Sequence, residues 1–228
     1  MKVVIVGGGW SGCAASIAAR KQGAEVILLE RTDMLLGTGL VGGIMRNNGR
    51  HTATEEMIAM GGGEIFAEID DNSLHRGIEF PGHLHANLYN VATMEPRLKR
   101  LLLDRGIEIH LEARFEDVEQ DGARIKAVIV KKGDGKVRFE GDVFIDTTGT
   151  AGPTANCTKY GNGCVMCILR CPSFGGRASV AAKAGVQEMI GRKGGHIGAM
   201  SGACKLFKES LSTEIRDMLN KTGVAVVP

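Results

Sequence analysis

The opening of the chain constrains its fold more tightly than any other stretch. Lys2 to Val6 (KVVIV) is a run of mostly β-branched, apolar residues, the pattern of a short buried strand. It runs directly into Gly7-Gly8-Gly9-Trp10-Ser11-Gly12. An apolar helical pattern follows from Cys13 to Lys21, then a second strand from Glu25 to Leu29 that ends at Glu30. The spacing is Gly-x-Gly-x-x-Gly between a strand and a helix, with an acid 18 residues beyond the last glycine. In that context the motif marks a dinucleotide-binding βαβ unit. Gly7 permits the tight turn, Gly9 lets a pyrophosphate approach the backbone, and Gly12 lets the helix pack close on the sheet. The helix N-terminus then offers amide donors and a positive dipole end to the anion, with Glu30 placed to accept from ribose hydroxyls. The remaining reading is a glycine-rich turn with no ligand.

A chain of 228 residues is long enough for one to two domains and a sizeable core. The net charge of +2 gives no footing for a nucleic acid or an anionic membrane partner. Aromatic residues at 4% also argue against a base-stacking surface. The 33 glycines, about twice ordinary usage, suit close backbone approach to a large cofactor. Val3 to Ala19 carries no charge and follows Lys2, so it resembles a signal peptide. Its glycines and strand–turn–helix grammar argue for fold instead, and it is too short and glycine-rich to span a bilayer. A cytoplasmic protein is expected, with six cysteines that are reduced, metal-bound or catalytic rather than disulfide-bonded.

Beyond Glu30 the chain alternates apolar residues with Gly37, Gly39, Gly42 and Gly43, an apolar loop that is either a buried connection or backbone wrapped around a cofactor. Helices are expected around Glu55–Met60, from Glu64 to Ile69, and from Thr93 to Asp104, where Pro96 sits in the first turn and Gly106 marks the end. Residues 70–85 read as irregular. His83 and His85 would share a face if extended and could bind a metal, but with no carboxylate cluster nearby, plain loop histidines are favoured. Ile107 to Leu111 is a third strand. Arg114–Glu119, Arg124–Lys131 and Lys136–Glu140, separated by turn residues, read as an antiparallel β-meander. Asp142 to Asp146 is another buried strand, ending in Thr147-Thr148-Gly149. Helical patterns return over 177–190 and 205–221.

The glycine unit with Glu30, the meander, and a strand ending in Thr-Thr-Gly come in an order that resembles the FAD-dependent oxidoreductases. These are flavoproteins of the glutathione-reductase type with two dinucleotide-binding domains, and include relatives of soluble fumarate reductase and of heterodisulfide reductase flavin subunits. The resemblance covers residues 1–152. It implies that Gly7, Gly9, Trp10, Ser11, Gly12, Glu30 and Arg31 bind the ADP half of FAD. It implies that Gly37, Thr38, Gly42 and Gly43 line the pyrophosphate and flavin, that backbone around Phe115 lies near adenine, and that Thr148 and Gly149 pass the cofactor a second time. Family members are longer and close with a segment that returns to the first domain, and nothing after Gly152 reads as that return. Either a second polypeptide completes the site, or this sequence is the N-terminal piece of a longer chain.

Cys164, Cys167 and Cys171-Pro172 form C-x2-C-x3-C-P, with Cys157 upstream. This is the spacing of the last three cysteines and the proline of a ferredoxin-type run, so the four thiolates are candidate ligands of a [4Fe–4S] cluster. A redox dithiol at Cys164 and Cys167, a zinc site, and thiols lining a flavin pocket remain open. Cys13 reads as an apolar packer. Cys204 remains an alternative fourth ligand. Arg46, Arg50, Arg170 and Arg177 are candidate clamps for a substrate carboxylate or plain surface arginines.

The expected fold is α/β. A Rossmann-like FAD-binding domain with an inserted antiparallel β-meander occupies 1–152, and a Cys-rich segment with the start of a second domain occupies 153–228. The expected activity is that of an FAD-dependent oxidoreductase subunit moving electrons between a small metabolite and a redox partner. The alternatives are a cluster-free amino-acid or amine dehydrogenase or oxidase, and a non-catalytic cofactor-binding subunit of a hetero-oligomer.

Overall fold

The computed structural model describes residues 1–37, 39–42, 44–45, 58–80, 83–149, 174, 177–186, 192–193, 196–197 and 213–222. Four strands form a parallel sheet: β1 (Lys2–Val6), β2 (Glu25–Leu29), β6 (Glu108–His110) and β10 (Val143–Asp146), in the order β10-β1-β2-β6. The first strand is therefore central. Val4 lies opposite Ile27 on one side and Phe144 on the other, while Leu28 lies opposite Ile109. This is the arrangement the βαβ reading requires.

The two faces of β1 show why its sequence has no polar side. Val3 and Ile5 pack against α1 (Trp10–Lys21) and α4 (Val91–Asp104), in a cluster with Ile17, Leu98 and Leu102. Val4 and Val6 point the other way, onto Phe115, Val128 and Val130. Those residues belong to an antiparallel sheet of β7 (Arg114–Asp121), β8 (Arg124–Lys132) and β9 (Gly135–Glu140). The layers are thus helices, parallel sheet and meander. Period-two alternation along a strand feeds two cores at once, each large aliphatic side chain contributing about 1.5–3 kcal/mol on burial.

Turn chemistry sets the helix ends. After α1, Ala24 N–H donates to Ala19 O and Gly23 N–H to Arg20 O, with Gly23 at φ 79°. After α4, Ile107 N–H donates to Leu102 O and Gly106 N–H to Leu103 O, with Gly106 at φ 72°. Both are left-handed glycine stops that satisfy the last carbonyls. The start of α4 differs from the sequence reading. Asn90 caps it, its side chain accepting from Ala92 N–H, so the helix begins at Val91, two residues earlier than expected, and Pro96 falls in its second turn.

The described residues of the 70–85 stretch are not irregular. After α2 (Gly39–Gly42), β3 (Ile44–Met45) and α3 (Gly63–Asp71), the chain forms β4 (Ser73–Phe80) and β5 (His83–Tyr89). They make an antiparallel sheet in the order β3-β5-β4. Register shifts at His75 and Ile78 interrupt the pairing, which explains why strict alternation is missing from the sequence. Only Val180–Lys183 is helical within 177–186 (α5). Ser179 caps it through Ala182 N–H, and Gly185 at φ 85° stops it. The later helical pattern appears as Thr213–Thr222, α6, after the short strands β11 (Arg192–Lys193) and β12 (His196–Ile197). Among the described residues no helix is long and apolar enough to cross a membrane.

Candidate functional site: a nucleotide turn gripped from two sides

The site lies at the carboxyl end of the parallel sheet, where β1 turns into α1. Gly7 has φ 110°, a backbone conformation that side chains resist. A Cβ there would also run into the Thr147 carbonyl, and a Cβ on Gly12 would fall on the Gly7 carbonyl oxygen. Gly9 is different. A Cβ added to it would meet nothing nearer than Leu36 O, 4.0 Å away. Two glycines of the motif are consumed by close packing, and the third leaves open space above the turn.

Gly9 is the N-cap of α1 and brings no side-chain cap, and no acid lies in the helix's first turn. The amide donors there are left for an external anion, where the helix dipole also favours negative charge. Ser11 is exposed at this end and Trp10 is half-buried.

Thr147 joins the two halves. Its N–H donates to Val6 O at 2.9 Å, and its hydroxyl lies 2.7 Å from Gly7 O and 3.0 Å from Val6 O. The Thr147-Thr148-Gly149 edge therefore abuts the glycine turn, 140 residues away in sequence. Glu30 ends β2 beside it and is 5% exposed. One carboxylate oxygen accepts from Gly8 N–H at 2.7 Å, and the other from Thr32 N–H at 2.9 Å. The Thr32 hydroxyl lies 2.9 Å from that second oxygen and shares its proton with Met34 O at 2.7 Å. A carboxylate has about four acceptor sites, so capacity remains for a ribose hydroxyl.

The loop after Glu30 is strapped across the turn. Leu36 N–H donates to Gly8 O at 2.8 Å, and Leu36 takes φ 76°, a strained value for a leucine. Leu35 N–H is held by the carboxylate of Glu95, itself 3% exposed, at 3.1 Å. Gly37 continues the strap, with its Cβ direction facing Gly9 Cα. Further on, Trp10 meets Tyr89 edge-to-face at 5.7 Å, and the Tyr89 hydroxyl donates to Gly39 O at 2.7 Å. Burial pushes that phenol up to about 12, against a lowering hydrogen bond with Trp10, so it remains a donor at physiological pH.

On the other side, Ala113 N–H donates to Glu30 O and Glu112 N–H to Thr32 O. The entry to β7 thus runs beside Glu30. Phe115 sits there, but its side chain is 4% exposed and belongs to the core. Arg31 is half-buried next to Glu30.

Gly42 lies in α2. Thr38, Gly43, Arg46, Arg50 and Arg170 are outside the described residues, as are Cys157, Cys164, Cys167, Cys171 and Cys204. His83 and His85 lie in β5. Among the described residues no group of three or more His, Cys, Asp or Glu side chains is placed to hold a metal ion. Cys13 is fully buried, its thiol 3.5 Å from Gly8 O. Burial, reinforced by the charge of Glu30, pushes that thiol up to about 12. Cys13 is therefore expected to resist alkylation at pH 8 until the chain unfolds, which peptide mapping after iodoacetamide treatment in buffer and in urea will check.

Sequence reasoning named Thr147 only as the first residue of the Thr-Thr-Gly ending and gave no site role to Leu36, Glu95 or Tyr89. Glu95 carried a signal: it sits beside Met94 in a helix whose buried positions are otherwise Met94, Leu98 and Leu102. An acid on that stripe requires a buried partner. Glu95→Ala is expected to strand the Leu35 amide and cost about 1–3 kcal/mol, read from the urea midpoint.

A parallel sheet with its first strand central, a glycine turn at its carboxyl edge and an acid ending the second strand define a dinucleotide-binding α/β protein. The family model described as FAD dependent oxidoreductase matches residues 2–155, and the chain belongs to that family. It is 26% identical over 159 residues to the tRNA uridine 5-carboxymethylaminomethyl modification enzyme MnmG of Syntrophomonas wolfei. That match covers 65% of this chain and 24% of the relative, so the chain spans about a quarter of the relative's length. Aquifex aeolicus GidA superposes with a TM-score of 0.52 at 18% identity, over 65% of this chain and 25% of that one, a likeness of fold. The residues present fit the adenine-nucleotide half of FAD: open space above Gly9, an uncapped helix N-terminus, and a buried acid with acceptor capacity left over.

Proposed function

We propose that this chain binds FAD through its ADP half and serves as the nucleotide-binding part of an oxidoreductase acting on a small metabolite. The observation that carries the reading is the meeting of Thr147 with Gly7, which closes the glycine turn from its second side. The α1 amides offset pyrophosphate charge, Glu30 orients the ribose, and the strap at Leu35 and Leu36 shields the turn from water. Bound there, FAD supplies hydride acceptance and one-electron release.

We further propose that Cys157, Cys164, Cys167 and Cys171 hold a [4Fe–4S] cluster that passes single electrons to a redox partner. The support is the C-x2-C-x3-C-P spacing alone. Beyond the loop from Gly37 to Gly43, the remaining residues around the flavin ring and the substrate come from polypeptide outside these 228 residues, a reading supported by the small share of the relative that the chain spans. The low net charge supports a small-molecule substrate over a polyanion.

FAD is expected to raise the melting temperature, ADP to raise it less, and FMN, which lacks the adenylate half, to leave it unchanged. At a hundred times its dissociation constant, FAD adds about 2.7 kcal/mol. Equal shifts with FMN and FAD would remove the reading. Iron and acid-labile sulfide assays on anaerobically purified protein decide the cluster. If both are absent, the cluster-free dehydrogenase reading takes its place.

A further inference from the structure

Asp146 closes β10, and none of the roles assigned above uses it. Its carboxylate accepts four hydrogen bonds, the full capacity of the ionised group. One oxygen takes the Thr148 N–H at 2.9 Å and the Thr148 hydroxyl at 2.7 Å. The other takes the Ser179 hydroxyl at 3.2 Å and the Ala181 N–H at 2.9 Å. One oxygen thus organises the nucleotide edge, and the other organises the start of α5, more than 30 residues later in the chain.

The far end of this link is seated in the fold. Val180 is 3% exposed and packs into the core between the parallel sheet and the meander. Lys183 Nζ lies 3.9 Å from Asp117 on β7, and Gln120 on the same strand reaches Ala184 O at 3.5 Å. Helix α5 is therefore docked on the meander, and a single carboxylate ties that dock to Thr148. Donors surround both oxygens. An amide in place of the carboxylate would turn an N–H2 group toward one pair of donors and lose both bonds on that side.

We propose that Asp146 is a positioning residue that couples the seating of α5 to the Thr147-Thr148-Gly149 edge, so that loosening α5 weakens the grip on an adenine dinucleotide. The dinucleotide part rests on the FAD reading above. The coupling itself does not.

Ser179 separates a coupling role from a merely local one, since it touches Asp146 and not the nucleotide edge. Ser179→Gly keeps a tolerated N-cap residue and removes the hydroxyl that Asp146 accepts. Ser179→Thr keeps the hydroxyl. Amide hydrogen exchange is measured on the full chain without added ligand, and FAD affinity by fluorescence titration. In Ser179→Gly the Thr148 amide is expected to exchange about tenfold faster, the worth of one hydrogen bond to a charged group, with Val4 and Leu28 amides unchanged as controls. FAD binding is expected to weaken severalfold, Ser179→Thr to restore both readings, and Asp146→Asn to exceed Ser179→Gly in both. Unchanged Thr148 exchange in Ser179→Gly overturns the coupling. Faster exchange with undetectable FAD binding in the unsubstituted chain keeps the coupling and removes the FAD reading instead. Should Asp146→Asn fail to fold, the Ser179 pair still decides.

Discussion

Gly12→Ala is expected to abolish cofactor binding and to destabilise the chain, whereas Gly9→Ala is expected to affect binding alone. The difference lies in what each new methyl meets. At Gly12 it falls on the Gly7 carbonyl oxygen, with Thr147 Oγ1 also 3.0 Å away. Gly7 cannot retreat, because its N–H is held by Leu29 O at 2.8 Å and its own Cβ position is closed by Thr147. Forced overpacking of this kind costs about 1–3 kcal/mol and more where backbone must shift. At Gly9 the nearest atom to the added methyl is 4.0 Å away, so the free chain accepts it. The same methyl occupies the space a pyrophosphate needs to reach the backbone. Urea midpoints and FAD titrations on both variants read the two effects separately. We expect a midpoint lowered in Gly12→Ala and unchanged in Gly9→Ala, and FAD affinity reduced at least about a hundredfold in both, an energy of about 2.7 kcal/mol. A Gly9→Ala protein that binds FAD like the unsubstituted chain would show that the open space above the turn is not the phosphate's place.

Much of this architecture was readable because local and non-local signals agreed. β1 and β2 each carry a short apolar run, glycines mark the turns between β1, α1 and β2, and the strand bounds coincide with the sequence reading at Lys2–Val6 and Glu25–Leu29. The meander was readable from its turns, Asp121-Gly122 and Gly133-Asp134-Gly135. The β4–β5 hairpin was not, because its bulged register destroys the alternation that marks a strand. The site divides in the same way. Glycines announce themselves, since a turn or a close approach excludes every other residue. Thr147, Leu36 and Asp146 act through hydrogen bonds between segments far apart in sequence, and such pairings leave no periodic trace. Asp146 ends a strand read as buried; the residue is in fact exposed, yet both its carboxylate oxygens are engaged. Burial pushes its carboxyl up, but the amides of Ala181 and Thr148 with the Thr148 and Ser179 hydroxyls outweigh that and hold it below its ordinary 3.8. A carboxyl lowered on folding contributes stability above about pH 4, its unfolded value, and loses it as pH falls through the folded one. The stability gap between the unsubstituted chain and Asp146→Asn is accordingly expected to be constant from pH 7 to 5 and to narrow as pH falls below about 4.

Glu30→Ala carries the other large expectation, and here the structure changes what the motif alone would predict. An acid that only accepted from ribose would be idle in the free chain, and its removal would weaken binding without touching stability. Instead Glu30 is buried and satisfies the amides of Gly8 and Thr32, with the Thr32 hydroxyl close by. Gly8 belongs to the turn and Thr32 to the strap, so one side chain fixes both before any nucleotide arrives. Truncation to alanine strands two buried backbone donors, at about 1–3 kcal/mol each. For a chain of this size, a loss of about 3 kcal/mol lowers the melting temperature by roughly 6–12 °C. Glu30→Gln retains one acceptor oxygen and turns an amide toward the remaining donors, so its loss is expected to fall between the two. Thermal unfolding without ligand tests this directly. A melting temperature unchanged in Glu30→Ala would mean that water replaces the carboxylate at no cost and that the residue answers to ribose alone. A drop in the ligand-free chain, together with lost FAD binding, would make Glu30 the group that preorganises the turn it later shares with the nucleotide.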